Sequence, residues 1–394
     1  MVAPNVSVVM CVYNEEHYIR DAIDSILSQT YDDFELIVVD DASTDGTPEI
    51  LRSFVDERII IFRNEKNSGP YRSANKGISL AQGEFIARHD ADDISHPKRF
   101  EKQVNHLIKN NSIGMVSSDF QYIDKSGHII DSVSLPASNH TLQERLTRGN
   151  IFAQGSVIFR RSVFDQVGGY RDYFPVSQDY DLWLRMSEVS ELANIDAPLY
   201  QMRFHSKSIS RNKRALQLAC KQLAWQLASQ RREGKQEGPI PTDVLSAFPP
   251  EPWKLFLDAR GSTYLYFASG EFNLAAESLT RAMELLSQFA NDHTEWQAWV
   301  LGRAKLLSNL RDNPQEGRKF IEWFFSQFEK PLVEKNSQET VARFYADLAF
   351  QNFQKGSSYL VFHNAWRAVR NDPRWLRNRG LWSISMKSML SSMK

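Results

Sequence analysis

Residues 85–93 read FIARHDADD, an apolar segment that ends abruptly in three carboxylates within four positions. Like charges at this spacing repel one another, and burying them without partners is unfavourable. They are best accommodated where hydrogen-bond donors or a divalent cation neutralise them. Mg²⁺ and Mn²⁺ prefer oxygen ligands and commonly join a protein to a diphosphate. The segment therefore predicts a metal and diphosphate site at the end of a strand, and a solvated acidic turn is the alternative.

Around this segment, short β-branched runs alternate with helical patterns. Strands are predicted at 6–12, 34–39, 58–62, 84–88 and 113–118, and helices at 15–28, 45–54, 71–81 and 97–109. This alternation predicts an α/β fold with a mostly parallel sheet and helices on both faces. Ligands bind such sheets at the carboxyl ends of the strands. We therefore expect Tyr13-Asn14, Asp40-Asp41 and residues 90–93, which follow predicted strands, to meet in one crevice.

Composition narrows the class of protein. The chain has 394 residues, 42% hydrophobic and 24% charged, which is ordinary for a globular protein of two or three domains. A net charge of −1 gives no reason to predict a nucleic-acid partner. No apolar run reaches the roughly 18–20 residues of a membrane span, and the N-terminus lacks the basic start of a signal peptide. A cytoplasmic protein is expected, with a peripheral position at the inner face of the membrane left open.

The character of the sequence changes after residue 210. Charged, Gly-rich and Pro-rich stretches over 231–252 predict a linker, and helix-period sequence follows them. In two places an Arg-Ala pair begins eleven residues after a turn glycine, at Gly270 and Gly356. This repetition suggests hairpins of tetratricopeptide type, and a plain helical bundle is the alternative. The predicted domains are 1–210 (α/β), 211–255 (helix and linker) and 256–394 (helical).

The helical region has two conceivable roles in partner binding. It could bind a protein partner through stacked helices. Its tail, 375–394, combines Trp, Leu and Met with Lys and Arg, which suits a peripheral contact with an anionic membrane. A capping helix on the bundle explains the same composition and is slightly favoured.

The end of the first strand argues against two other functions. No G-x-G-x-x-G follows it, so a bound dinucleotide is disfavoured. A sugar nucleotidyltransferase would need a glycine-rich, basic phosphate loop there, and Asn14-Glu15-Glu16 is acidic instead. Tyr13 offers a flat face for a nucleobase. Asp41 is a pure acceptor, which suits the N3–H of uracil or thymine and not cytosine. Arg72, on the helix after residues 67–69, is a candidate for contact with the diphosphate.

Two carboxylates open a predicted helix over 179–187. One of Asp179 and Asp181 is explained by helix capping. The other is a candidate general base, which must lie within hydrogen-bond reach of an acceptor hydroxyl. His205 follows an extended segment, and a lone histidine is more often a packing residue than a ligand.

Six segments, taken together and in order, resemble the family 2 glycosyltransferases, which have the GT-A fold. They are VSVVMCVYNEE (6–16), SILSQTYDDFELIVVDDASTDGT (25–47), NSGPYRSANKGISLAQGEFIARHDADD (67–93), GSVIFRRSVFDQVGGYRDYF (155–174), SQDYDLWLRM (177–186) and FHSKSIS (204–210). The resemblance covers residues 6 to about 210, slightly over half of the chain.

The resemblance implies a nucleotide-sugar site at the strand ends. Asp41 matches the carboxylate that pairs with the base, and Tyr13 the ring against it, with Asn14 beside them. Residues 90–93 match the metal and ribose motif. Within it, Asp92 is closest to the ribose-side carboxylate, and it is also a candidate metal ligand. Asp93 matches the metal ligand, and Asp90 could share either task.

The resemblance also implies the reactive groups. Asp179 matches the catalytic base, which is normally preceded by an acidic residue where this chain has Gln178. His205 matches the late histidine that in some relatives completes the shell of the metal and diphosphate. The cofactor implied is Mg²⁺ or Mn²⁺.

The function expected from this resemblance is inverting sugar transfer. The donor would be a UDP-sugar or dTDP-sugar, and the acceptor a hydroxyl of a glycan, a lipid-linked saccharide or a protein, in polysaccharide or glycoconjugate synthesis. Substitution of Asp93 by Ala or Asp179 by Asn should then abolish transfer. The alternative is a catalytically weak transferase domain that serves a helical protein-binding scaffold.

Overall fold

The structure is a computed structural model, which describes residues 4–205, 213–286, 294–327, 330–355 and 358–392. The chain forms two compact units. One comprises Met1–His128 and Ser132–Lys254, and the other Ile129–Asp131 and Leu255–Lys394. The described part of the predicted helix and linker is thus grouped, as far as residue 254, with the first unit. The domain boundaries at 210 and 255 stay a prediction.

A nine-stranded mixed sheet is the framework of the α/β part. Its strands are β1 (Val6–Val12), β2 (Phe34–Asp40), β3 (Ile59–Arg63), β4 (Phe85–Asp90), β5 (Ile94–Ser95), β6 (Ile113–Ile123), β7 (Ile129–Val133), β8 (Ile158–Arg160) and β9 (Glu191–Arg203). The strand order is β3-β2-β1-β4-β8-β6-β9-β5, with β7 paired to β6. Strands β1 to β4 are parallel where they pair, whereas β8 is antiparallel to both β4 and β6.

Helices cover this sheet. They are α1 (Ile19–Leu27), α2 (Thr47–Arg52), α3 (Pro70–Leu80), α4 (Arg99–Lys109), α5 (Asn139–Arg148), α6 (Arg161–Val167), α7 (Gln178–Val189), α8 (Arg214–Arg232) and α9 (Val244–Ala247). In α1 the buried Ile19, Ala22, Ile23 and Ile26 recur with the helical period, so one face packs on the sheet. Strand β2 is buried at every position, as expected for a parallel strand covered on both faces.

The register of the central strands places their carboxyl ends side by side. Val12 of β1 is opposite Asp40 of β2, and Cys11 is opposite Asp90 of β4. The residues that follow these three strands therefore begin at the same edge of the sheet. This alignment confirms the α/β architecture expected from the alternating pattern. It also places the loops that follow the three strands next to one another.

A segment near β8 differs from its sequence pattern. Residues 155–159 have the apolar pattern of a strand, but Gln154–Ser156 form a 3₁₀ turn and β8 starts only at Ile158. At Gly155 a Cβ would lie 1.7 Å from the hydroxyl oxygen of Tyr200. Glycine is therefore required there, because the backbone of the turn approaches the Tyr200 ring from β9 directly.

The second unit is a helical bundle. Its helices are α10 (Pro252–Ala268), α11 (Phe272–Leu286), α12 (Thr294–Leu310), α13 (Pro314–Ser326), α14 (Lys330–Gln354), α15 (Ser358–Asn371) and α16 (Arg379–Ser392). Aromatic rings dominate its core, with Phe320 packed 4.9 Å from Phe267 and 5.6 Å from Tyr264 between ring centroids. Gly356, the second turn glycine of the suggested repeat, lies outside the described residues, and the tetratricopeptide arrangement stays a prediction.

The C-terminal tail is also helical in its described part. Leu381 and Ile384 of α16 are buried in the core of the second unit. Among the described residues, we find no helix with the length and apolar character that crossing a bilayer requires.

Candidate active site

Two strand-end loops are joined at the edge where β1 and β2 finish. Asn14 and Ala42 have φ angles of 57° and 64°, so both loops turn through the left-handed region, which Asn tolerates better than most residues. The Asn14 backbone N–H donates to the Ser43 hydroxyl (3.0 Å), and the Thr44 N–H donates to Asn14 Oδ1 (2.7 Å). Asn14 thus holds the two loops together beside Tyr13, whose ring is 45% exposed.

Asp41 organises a third loop, the one that follows β3. Its carboxylate is only 3% exposed and accepts hydrogen bonds from Asn64 Nδ2 (2.7 Å) and from the backbone N–H groups of Ser68 and Gly69 (both 2.8 Å). A carboxylate has about four acceptor positions, so these three bonds leave room for one more donor. Asp41 therefore shapes the loop after β3 and has one acceptor position that these three bonds do not use.

Arg72 lies near the start of α3, and its expected contact with a diphosphate stays a prediction. Its guanidinium pairs with Asp172 at 3.5 Å, and both side chains are largely exposed. Arg72 lines a cavity of about 160 Å³ together with Tyr71, Phe174 and Gln178, among other residues. That volume is below the roughly 300–1,000 Å³ of a drug-sized pocket.

Three side chains of types that can bind a metal lie at the same sheet edge. His205 Nε2 is 2.9 Å from Asp92 Oδ2. Ligand atoms of Glu15, Asp92 and His205 all lie within 4.8 Å of one another. Sequence reasoning named Asp92 and His205 but missed Glu15, although the acidic run after β1 was visible. Residues 206–210 of the matching FHSKSIS segment are outside the described part.

Asp93 has a different environment from Asp92. It is 2% exposed, and its two oxygens accept hydrogen bonds from the Tyr200 hydroxyl and the Arg203 backbone N–H, both at 2.7 Å. Burial, with the neighbouring charges of Asp92 and Asp90, holds the pKa of Asp93 well above its usual range. Asp93 is thus bonded to β9 and is not one of the three clustered ligands. Its assignment as a metal ligand stays a prediction.

Asp90 connects the end of β4 electrostatically with the start of α7. Burial, together with the charges of Asp92 and Asp179, raises the pKa of Asp90 to about 6, against the lowering effect of Arg88. The same region reaches β2, since Asp90 and Asp41 both raise the pKa of the Cys11 thiol, after the larger effect of burial. Asp90 thus interacts electrostatically with both Asp92 and Asp179.

The two carboxylates of α7 have separate tasks. Asp181 is fully buried and pairs with the guanidinium of Arg185 at 2.7 Å. Asp179 is only partly buried, and its Oδ2 accepts a hydrogen bond from Asn150 at 2.6 Å. Burial raises the pKa of Asp179, partly offset by Lys221. Asp181 therefore stabilises the helix, and Asp179 is the more exposed of the two carboxylates.

Comparison with known proteins identifies the family of this chain. Residues 7–168 match the model of glycosyl transferase family 2. EpsE of Bacillus subtilis, which carries the name of a glycosyltransferase, is 36% identical over 218 residues, or 53% of this chain and 76% of that protein. The O-antigen biosynthesis glycosyltransferase WbnJ of Escherichia coli is 33% identical over 215 residues, or 52% of this chain and 82% of that protein.

Among solved structures, TarS of S. aureus in complex with UDP-GlcNAc aligns over 94% of this chain and 92% of that one, with 15% identity and a TM-score of 0.44. A score at this level does not carry the assignment, which depends on the sequence relatives. Because most of the length of EpsE and of WbnJ is matched at 36% and 33% identity, this chain belongs to the family 2 glycosyltransferases.

Proposed function

We propose that this glycosyltransferase moves a sugar, with inversion, from a UDP-sugar or dTDP-sugar to an acceptor hydroxyl, with Asp179 as the general base. The observation that supports the proposal is the alignment of the strand ends, since Val12 of β1 lies opposite Asp40 of β2 and Cys11 opposite Asp90 of β4. Asp41 and residues 90–93 therefore begin at one edge of the sheet, on the two strands that flank β1, and Asp90 also interacts electrostatically with Asp179 at the start of α7. A nucleotide, a diphosphate and an acceptor hydroxyl each need a group of this kind.

The nucleotide end of the donor is assigned to Asp41 and Tyr13. Asp41 has acceptor capacity left for the N3–H of uracil or thymine, and cytosine presents an acceptor at that position. The exposed ring of Tyr13 can stack on the base. Asn14 fixes the loop that carries Tyr13, so its contribution is to orientation.

The diphosphate end is assigned to Asp92 and His205. An oxygen and an imidazole nitrogen 2.9 Å apart fit a divalent cation, and the nitrogen favours Mn²⁺ over Mg²⁺, which prefers oxygen ligands. A cation held there offsets the charge that develops on the departing diphosphate.

Asp179 supplies the base. Its carboxylate takes the proton of the acceptor hydroxyl as that oxygen attacks the anomeric carbon from the face opposite the diphosphate. The bond between the anomeric carbon and the diphosphate oxygen breaks with its electron pair, which leaves on the nucleoside diphosphate. One displacement inverts the anomeric centre. The name of WbnJ refers to O-antigen biosynthesis, which supports an acceptor in polysaccharide or glycoconjugate synthesis.

The preference for uracil or thymine over cytosine in the donor is tested by ligand-induced stabilisation. With Mn²⁺ present, UDP and dTDP should raise the unfolding temperature, and CDP at the same concentration should do so much less. A ligand at about 100 times its Kd stabilises by about 2.7 kcal/mol, which a thermal shift assay detects readily. Equal shifts with UDP and CDP would show that Asp41 does not read N3–H.

The reaction itself is tested with a panel of UDP-sugars and dTDP-sugars. Wild-type protein should release nucleoside diphosphate from one of them in the presence of Mn²⁺ and lose this activity with a chelator. Analysis of the product by NMR would show the inverted anomer. Retention of configuration would rule out the single displacement.

The pH dependence of the transfer rate should follow the ionisation of the Asp179 carboxylate. Because only the ionised carboxylate accepts a proton, and burial raises its pKa, activity should fall on the acid side at a pH above the usual range of aspartate. Gln178→Glu would place another negative charge beside it and should move this acid limb to higher pH. Gln82→Glu is the control. It adds the same charge before the amino end of β4, whereas Asp90 lies at the carboxyl end of that strand, and it should leave the acid limb of the pH profile unchanged.

A further inference from the structure

We propose that Glu15 is the third protein ligand of the divalent cation, alongside Asp92 and His205. The proposal rests on the function proposed above and adds a residue for which the family resemblance gave no role. The three ligand atoms lie within 4.8 Å of one another and come from segments that follow β1, β4 and β9. The site would thus join three separate parts of the fold.

The spacing fits one cation with little movement. Metal–oxygen bonds of about 2.1 Å place ligand atoms at most about 4.2 Å apart, across the ion. The three ligand atoms lie within 4.8 Å of one another, so each separation is at most slightly larger than this span. Two carboxylates this near to each other also repel, and a cation between them removes that repulsion.

The backbone of each ligand is held in place before any ion binds. The Glu15 N–H donates to the Thr47 hydroxyl at 2.9 Å, and its carbonyl accepts from the Ile19 N–H at 3.0 Å. The Asp92 carbonyl accepts from Arg203 Nε at 2.8 Å.

On the third ligand, the His205 ring lies 5.5 Å from the Tyr18 ring between centroids. The Arg203 guanidinium that holds Asp92 also lies 4.5 Å from the centre of the Tyr18 ring. Tyr18 and Arg203 therefore connect His205 with Asp92. Support of this kind, behind the ligands themselves, is what orients a metal site.

Two neighbouring carboxylates lie outside the cluster that Glu15 forms with Asp92 and His205. Glu16 Oε2 accepts from the Gly46 N–H at 2.7 Å, so this side chain faces the loop before α2. Asp93 is bonded to Tyr200 and Arg203 of β9. Glu16 is thus a matched control, since it differs from Glu15 by one position and not in chemistry.

Ligation by Glu15 would also couple the cation to the nucleotide. Glu15 directly follows Tyr13-Asn14, and Asn14 is bonded to the loop after Asp41 through Ser43 and Thr44. Fixing Glu15 on the ion therefore fixes the loop that presents the Tyr13 ring. We expect Mn²⁺ to raise the affinity for UDP in the wild type and much less in Glu15→Gln.

The test is Mn²⁺ binding by the full chain, measured by calorimetry and by the Mn²⁺ electron paramagnetic resonance signal, with and without UDP. Glu15→Gln should weaken Mn²⁺ binding by about tenfold or more, a loss that altered metal sites commonly show. Glu16→Gln should bind Mn²⁺ as the wild type does, and Asp92→Asn should lose binding at least as strongly as Glu15→Gln. Unfolding temperatures without metal control for folding, and Glu15→Asp should give an intermediate affinity.

The outcomes distinguish this proposal from the function on which it rests. If Glu15→Gln binds Mn²⁺ like the wild type while Asp92→Asn does not, Glu15 is not a ligand and the metal-dependent transferase stands. If the wild type binds no Mn²⁺ in the presence of UDP, or Asp92→Asn binds it unchanged, the metal site itself is wrong. Equal losses in Glu15→Gln and Glu16→Gln would indicate a general charge effect and would also overturn the assignment of Glu15.

Discussion

Substitution of Asp179 by Asn should lower the turnover of sugar transfer by about 10²–10⁴-fold, the range that a positioned general base contributes. Asn has nearly the same shape and can still accept a hydrogen bond from Asn150 through its carbonyl oxygen. It cannot take the proton of the acceptor hydroxyl. The loss should therefore appear in kcat, while the affinities for UDP and Mn²⁺ stay near those of the wild type.

The neighbouring carboxylate provides the contrast. Asp181→Asn breaks a fully buried pair with Arg185, and removing one partner of such a pair destabilises a protein by about 3–5 kcal/mol. This variant should unfold at lower temperature but keep its turnover at temperatures where it is folded. The turnover of both variants is measured with the UDP-sugar of the panel that the wild type uses best. If Asp179→Asn turned over as fast as the wild type, another group would be the general base.

Substitution of Asp93 by Ala should lower the rate of sugar transfer by orders of magnitude, and the reason is structural. The side chain joins the strand-end segment 90–93 to β9 through the Tyr200 hydroxyl and the Arg203 N–H. Removing it leaves both donors unpaired in a buried place, at about 1–3 kcal/mol each. Arg203 also holds the carbonyl of Asp92, so the orientation of the Asp92 side chain should be lost with it.

A buried aspartate elsewhere in the sheet separates this effect from simple loss of stability. Asp119 of β6 is 4% exposed and accepts hydrogen bonds from the Leu135 N–H (2.9 Å) and Asn194 Nδ2 (2.8 Å). Asp119→Ala should lower the unfolding temperature to a similar extent and still bind Mn²⁺. Asp93→Ala should lose stability, Mn²⁺ binding and transfer together. If folded Asp93→Ala transfers sugar like Asp119→Ala, Asp93 has no part in shaping the site.

Much of the α/β fold could be predicted because its signals are local. The apolar runs of β1, β2 and β4 and the helical period of α1 and α3 are set by residues close together in the chain. Strand ends followed by polar residues then located the crevice. The antiparallel position of β8 between β4 and β6 had no such signal, because it depends on pairing with strands distant in sequence.

The site shows the same division. Strand ends, spacing and the family resemblance point to Asp41, Asp92, Asp179 and His205. The order of the amino acids specifies which chemical groups exist, where the strands end and which family the motifs match. Which carboxylates meet depends on the three-dimensional fold, which buries Asp181 against Arg185, bonds Asp93 to β9 and places Glu15 beside Asp92 and His205. Those contacts join residues up to 190 positions apart, and a sequence pattern does not contain the distances between them.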